Sequence, residues 1–299
     1  MSSASQSTSA IWPWIELSRI NIFAGTMLLF WPYAWGLTMS ARAVSMPLTT
    51  YAASIAYGLV FATVLHSAMC VWNDILDREF DRLVERTKYR PIADGRISVP
   101  GALAFLFVHL VVIIALMWPL NSLAWNICLI TVFPLNGIYP LMKRITNWPQ
   151  AWLGLAHNML ALVSWSAVQH EISPAAFALL AGCWSWTLYF DTIYACQDKR
   201  DDVSAGVKST ALLFGTRVKA ALACFAALIA GGLAASGHLG AQGPAFYALA
   251  VGGAVLHLGW QLGGLDVDNA RSCLAAFEKN GFEFGGIVWA GLVVDYLLV

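Results

Sequence analysis

Charge is scarce in this chain. Lys and Arg number 17 and Asp and Glu 17, together 11% of 299 residues, where a soluble globular chain carries about 25%. That little charge cannot coat a chain this apolar in water, which excludes an ordinary soluble domain. The two signs cancel, so the basic surface that a nucleic-acid partner needs is missing as well. Paired cysteines are also lacking. Cys70, Cys128, Cys183, Cys196, Cys224 and Cys273 stand singly in apolar stretches, which supports neither a disulfide framework nor a zinc site. The histidines share no metal-ligand spacing; only His66, seven residues before Asn73, is placed to share a face with the charged residues discussed below. Residues 1–10 hold no Lys or Arg, so neither a mitochondrial transit peptide nor a secretory signal is expected there.

What the chain has in abundance is apolar length. Hydrophobic residues make up 59% of it and the mean hydropathy is +0.66, which predicts an all-α, polytopic membrane protein. A hydrocarbon core about 30 Å thick needs roughly 20 apolar residues per helix. Runs of that length fall near 22–40, 50–72, 101–119, 123–142, 149–168, 174–196, 218–236, 244–264 and 282–298, which predicts nine transmembrane helices. Residues 1–15 are expected to be a short disordered tail and 16–299 one transmembrane domain. With the N-terminus in the cytosol, the loops near 73–100, 143–148, 197–217 and 265–281 face the same side. Of the 17 Lys and Arg, Arg42 alone then falls in an opposite-side loop, the asymmetry that the positive-inside rule describes.

The few carboxylates are concentrated. Asn73-Asp74-Ile75-Leu76-Asp77-Arg78-Glu79-Phe80-Asp81 ends the second apolar run, and Asp198-Lys199-Arg200-Asp201-Asp202 ends the sixth. Asn73, Asp77 and Asp81 are spaced i, i+4, i+8, and Asp198 and Asp202 i, i+4, so each set shares a helical face. Carboxylates converging in this way need cations between them. Hard oxygen ligands suit Mg²⁺, which commonly takes phosphate oxygens on its other side. Arg86 and Arg90, in the loop after the first cluster, could add bidentate donors to a diphosphate. Asp191 lies within the sixth run, at i, i+7, i+11 with Asp198 and Asp202, and an ionisable group inside a membrane helix is by default a functional candidate. It could orient Tyr194 or a basic ligand, or take a proton from substrate. Tyr139 and Lys143, at i, i+4, could both face the cavity from the end of the fourth run.

At these residues the chain resembles the UbiA superfamily of intramembrane prenyltransferases. The resemblance runs from about Ser18 to Tyr296. It is carried by Asn73-Asp74-x-x-Asp77-x-x-x-Asp81 with Arg86 and Arg90-Pro91, by Asp198-x-x-x-Asp202 with Gly206, by Tyr139-Pro-Leu-Met-Lys143-Arg144 and by Trp31-Pro32. It implies a bundle of nine transmembrane helices around a central cavity and two Mg²⁺ ions bridging the acidic motifs to an isoprenyl diphosphate. Asn73, Asp77 and Asp81 would hold one ion, Asp198 and Asp202 the other. Arg19, Arg86, Arg90, Lys143 and Tyr194 would bind the diphosphate, and Asp77, Asp198, Asp191, Lys143 and Tyr139 would serve catalysis.

The second motif is similar to that of the 4-hydroxybenzoate polyprenyltransferase branch. The opening segment departs from it: Arg19-Ile-Asn21-Ile22-Phe23-Ala-Gly25 stands where that branch has Arg-x-Asp-Lys-Pro-x-Gly. The combination resembles fungal meroterpenoid enzymes, which implies transfer of a farnesyl or similar chain to a phenolic polyketide in the endoplasmic reticulum, with the lipid bilayer as partner. The alternatives are a 4-hydroxybenzoate polyprenyltransferase of ubiquinone biosynthesis, a UbiA-type terpene cyclase and an ion-coupled transporter. In a cysteine-free background, Glu85→Cys should react with a membrane-impermeant maleimide from the face that carries the N-terminus, and Glu171→Cys from the other. Labelling of both from one face would break the nine-span topology.

Overall fold

The computed structural model describes residues 10–199, 202–203 and 206–298. Every regular element among them is helical. A short helix α1 (Trp12–Ser18) is followed by α2 (Ala24–Ala43), α3 (Leu48–Asp81) and α4 (Val99–Met117). Next, α5 (Ser122–Ile130) passes through a π turn (Thr131–Leu135) into α6 (Asn136–Ile145). Helices α7 (Pro149–Gln169) and α8 (Pro174–Ala195) follow, the latter closing in a 3₁₀ turn (Cys196–Asp198). The remainder comprises α9 (Thr210–Phe214), α10 (Val218–Leu239), a π turn (Phe246–Val251) leading into α11 (Gly252–Gly264), and α12 (Ala270–Lys279) joined through a π turn (Asn280–Phe284) to α13 (Gly285–Leu297).

Among the described residues, five helical stretches are long and apolar enough to cross a membrane: Leu48–Asp81, Val99–Met117, Ser122–Ile145, Pro149–Gln169 and Thr210–Leu239. The other four expected windows are helical; α8, like α2, is largely buried against other helices, and two more are short. Helix α2 is enclosed by protein rather than lipid, being buried at almost every position from Leu28 to Ala41, so its sequence need not be strongly apolar. Helices α11 and α13 are 13 residues each because π turns interrupt their rods. Outward-facing apolar side chains on α4, such as Phe107 at 65% exposure, suit lipid and would be costly in water. The protein is an integral membrane protein. The expected tail at 1–15 is corrected on its described part, because α1 starts at Trp12 with Pro13 in its first turn. Residues 1–9 lie outside the described residues.

Helix α2 is the hub, packed by α3, α7 and α13. Trp35, on α2, meets Trp186 of α8 at 5.1 Å between ring centroids, and Phe284 lies 5.3 Å from Trp186. A buried indole needs an acceptor, and the π turn at Asn280–Phe284 and the residue after it provide them. Trp31 donates to the Gly281 carbonyl at 2.7 Å, Trp35 to the Gly285 carbonyl at 3.2 Å and Trp186 to Asn280 Oδ1 at 2.8 Å. Gly281 lies inside the rod, and a Cβ there would press on the backbone of Ala24. In the α5–α6 rod the π turn contains Pro134, whose missing N–H and ring bulk a regular helix would not accept.

Arg42, the one cation on the wrong side of the charge count, is not free. Its Nε lies 2.8 Å from Asp295 Oδ2, and Asp295 also accepts the Gly243 N–H at 2.8 Å. The carboxylate therefore neutralises the cation and fastens the turn before the Phe246–Val251 π turn to α13. Asp295→Ala leaves the half-buried Arg42 with the Ala241 carbonyl but no carboxylate, and the Gly243 N–H without its acceptor. It should destabilise the detergent-solubilised protein by about 3 kcal/mol, measured by thermal unfolding; an unchanged midpoint would contradict this.

Candidate active site

The loop after α3 folds back on itself before α4. Arg90 N–H donates to the Thr87 carbonyl at 2.9 Å, Asp94 N–H to that of Arg90 at 2.9 Å and Ile97 N–H to that of Pro91 at 2.8 Å. Val84, Ile92, Ala93 and Ile97 are buried beneath it. The loop is thus anchored by apolar side chains, and Arg86 and Arg90 leave it in fixed directions. Arg90 Nη1 donates to Asp74 Oδ1 at 3.1 Å and to both Asp81 oxygens at 3.1 and 3.0 Å. Burial works against the Arg90 charge, but the Asp74 and Asp81 carboxylates outweigh it and hold its pKa above the ordinary arginine range. From the far side Arg19 Nη2 donates to the Asp74 oxygens at 3.1 and 2.8 Å. Arg19 ends α1 in the left-handed region, φ +57°, a conformation that costs an L-residue about 1 kcal/mol and that its carboxylate partner compensates.

The second cluster is met in the same way. Arg86 Nε donates to Asp198 Oδ1 at 3.0 Å, Nη2 to Oδ2 at 2.6 Å, and Nη1 to the Tyr194 hydroxyl at 3.0 Å. Its guanidinium also sits 5.2 Å from the Tyr194 ring centroid. Asp77 faces Lys143 at 3.5 Å and Arg144 at 3.2 Å. After the second cluster, Gly206 takes φ +69°, open to glycine without strain. Beyond it, Lys208 N–H donates to the Lys143 carbonyl at 2.8 Å and Thr210 N–H to Gln150 Oε1 at 3.0 Å. These bonds tie the end of α6 and the start of α7 to the segment that follows α8.

Two connected spaces result. Asp77, Asp81, Asp198 and Asp202 line a crevice of about 80 Å³ together with Arg86, Arg90, Lys143 and Arg144. Arg86, Arg90 and Lys143 also border a cavity of about 580 Å³, lined further by Arg19, Asn73, Asp74, Tyr139, Asp191 and Tyr194. All the sequence-predicted site residues therefore line one of these two spaces. Helix α8 ends at Ala195 and continues as a 3₁₀ turn over Cys196–Asp198, so Asp191 lies within the helix and Asp198 at its end. Asp191 opens on the large cavity and Asp198 on the crevice; Arg200 and Asp201 of that cluster lie outside the described residues. Tyr194 is held by Arg86, the role that Asp191 had been offered. Two residues were missed. Asp74 is 1% exposed and joins Arg19 to Arg90; its i, i+7 spacing to Asp81 was the available signal. Arg144 holds Asp77 beside Lys143.

Among the described residues no three His, Cys, Asp or Glu side chains converge to hold a metal ion by themselves. The carboxylates are turned toward guanidinium and ammonium groups instead. The donor chemistry still suits Mg²⁺: four carboxylates line the crevice, and Asn73, on the wall of the larger cavity, has an Oδ1 without a hydrogen-bond partner.

An apolar helical bundle whose carboxylate-lined crevice shares Arg86, Arg90 and Lys143 with a larger cavity suits an intramembrane group-transfer enzyme. The model of the UbiA prenyltransferase family matches residues 29–286. A UbiA prenyltransferase, claS, of Ampulloclitocybe clavipes is 54% identical over 98% of this chain and 94% of its own. The mitochondrial 4-hydroxybenzoate polyprenyltransferase of Drosophila melanogaster is 41% identical over 97% of this chain and 73% of its own. Among solved structures, a UbiA homologue from Aeropyrum pernix K1 superposes with a TM-score of 0.74 at 23% identity, covering 90% of this chain and 97% of that one. A homologue from Archaeoglobus fulgidus, solved with GPP and Mg²⁺, gives 0.69 at 18% identity, covering 94% and 99%. The chain belongs to the UbiA prenyltransferase family and is an enzyme of the aromatic prenyltransferase class.

Arg90 carries the pairing of two buried carboxylates. Arg90→Met should destabilise the protein by about 3 kcal/mol, and adding Asp74→Leu should recover part of that loss. Fully additive losses in the double variant would show that the pair is not coupled.

Proposed function

We propose that the enzyme transfers an isoprenyl group, farnesyl by preference, from its diphosphate to a phenolic polyketide acceptor, with Mg²⁺ as cofactor. The observation that carries this reading is the meeting of both acidic clusters with Arg86, Arg90 and Lys143 at the mouth of an apolar cavity. Asn73, Asp77 and Asp81 would hold one Mg²⁺ and Asp198 and Asp202 a second, exchanging their present cationic partners for the ions and the diphosphate. Bound there, Mg²⁺ supplies Lewis-acid stabilisation of the departing diphosphate.

The chain's own groups do the rest. Arg19, Arg86, Arg90 and Lys143 bind diphosphate oxygens and stabilise the negative charge that grows on them as the C–O bond breaks. Tyr139 and Tyr194 turn aromatic surface toward the allylic cation, and the surrounding helices exclude water from it. The acceptor ring donates an electron pair to form the C–C bond. Asp191, on the cavity wall, takes the ring proton that restores aromaticity.

The charge asymmetry over the nine expected spans supports a site on the cytosolic side of the membrane, and this reading assigns that membrane to the endoplasmic reticulum. The 4-hydroxybenzoate enzymes among its relatives support a second reading, in which that acid is the acceptor. Membranes incubated with farnesyl diphosphate, Mg²⁺ and an acceptor panel that includes 4-hydroxybenzoate separate the two by mass spectrometry of the products. Asp77→Ala and Asp198→Ala should each lower turnover by about 10²–10³-fold without unfolding the bundle. Turnover retained by both variants would remove the crevice from the mechanism.

A further inference from the structure

The carboxylates that open on the large cavity are not equivalent. Asp74 is met by Arg19 and Arg90, and Glu16 by Arg96 and the Trp12 indole. Asp191 has Lys143 and Gln150 beside it. Glu278, on α12, lines the same cavity. It is exposed and makes no hydrogen bond or ion pair among the described residues.

The helix fixes where that carboxylate stands. Leu274, Phe277 and Glu278 are spaced i, i+3, i+4, so they share one face of α12, and all three line the cavity. The start of the helix is held in place. Asn269 Oδ1 accepts the Arg271 and Ser272 N–H groups at 3.0 and 3.3 Å. Lys199, one residue beyond Asp198, reaches Asp268 Oδ1 at 3.4 Å. Phe277 meets Tyr194 at 4.5 Å between ring centroids, and the Tyr194 hydroxyl accepts from Arg86 Nη1 at 3.0 Å. This face therefore stands beside Arg86, one of the cations assigned to the diphosphate, at the reacting end of the cavity. Phe277 and the exposed Leu274 offer a flat ring an apolar surface. The carboxylate next to them offers that ring's hydroxyl an acceptor.

We propose that this face of α12 receives the aromatic acceptor and that Glu278 sets the acceptor's charge class. The ring lies on Phe277 and Leu274, and its hydroxyl donates to the Glu278 carboxylate. A hydrogen bond to a charged acceptor is stronger than a neutral one. A carboxylate on the ring would instead face Glu278 without a cation to neutralise it. The cations of the cavity wall, Arg19, Arg86, Arg90 and Lys143, are each engaged by an aspartate, and they are the groups that the donor diphosphate would take. Like charges brought together in this way oppose binding. The subsite thus selects a phenol over a benzoate.

This assignment rests on prenyl transfer to a phenol and is tested within it. The probes are derivatives of the phenol that wild type turns over fastest in the panel. They carry, at one ring position, either a carboxylate or the isosteric carboxamide, so that charge alone differs. Wild type should prefer the carboxamide by about tenfold or more in kcat/KM. Glu278→Gln, which keeps an accepting oxygen, should bring that ratio toward unity, and Glu278→Lys should invert it. Glu278→Leu should raise the KM of the parent phenol by about tenfold, and Glu278→Gln should recover part of that loss. The KM for the donor diphosphate should stay unchanged in Glu278→Gln and Glu278→Leu. Glu278→Gln, the nearest in shape, carries the test if the other variants do not reach the membrane. A wild type without the preference, or folded variants that keep it, overturn the subsite. A panel that yields no prenylated product from wild type overturns the prenyl-transfer reading instead.

Discussion

A carboxylate taken into an apolar bundle costs several kcal/mol unless a cation meets it with good geometry. Asp74, Asp77 and Asp81 are all buried at the end of α3, and the architecture around them follows from that cost. Arg90 must reach two of them, so the loop after α3 is compact and anchored by its own apolar side chains. Arg19 must reach Asp74 from the opposite side, so α1 ends in a left-handed residue that aims the guanidinium inward. Lys143 and Arg144 must reach Asp77, so the α5–α6 rod lies against α3 at its charged end. The same network that stabilises the fold is the set of charges through which an anionic substrate would be gripped.

The opposite face has a smaller version of the same solution in Arg42 and Asp295. Between the two ends the packing is aromatic, and Trp31, Trp35 and Trp186 find their acceptors at the irregular turn over Asn280–Gly285. The π turn at Asn280–Phe284 brings Asn280 and Gly281 within reach of Trp31 and Trp186, so a departure from ideal helix geometry is what permits indoles in the core. In the α5–α6 rod a π turn absorbs a proline. These irregularities also explain why some rods look too short or too polar to span a membrane when judged one helix at a time.

Much of the site was legible because its signals are local. Helical spacing places Asp77 and Asp81 on one face of α3, and the run of apolar residues before them sets the helix that carries them. The left-handed Gly206 after the second cluster fits a motif readable in one dimension. That Asp191 lines the large cavity and Asp198 the crevice was not legible, since the spaces are formed by side chains from several helices. Asp74 was passed over because its neighbours had the more regular spacing, and its value lies in partners 16 and 55 residues away.

The sequence by itself determined a membrane bundle with two acidic helix ends and basic loops on one side, because hydropathy, helical period and charge asymmetry are properties of neighbouring residues. Only the tertiary structure decided which cation answers which carboxylate. It also decided that Arg42 is neutralised by Asp295. Arg86 and Asp198 are 112 positions apart. Electrostatic pairing and hydrogen bonding act through space, and the space is defined once the helices have packed.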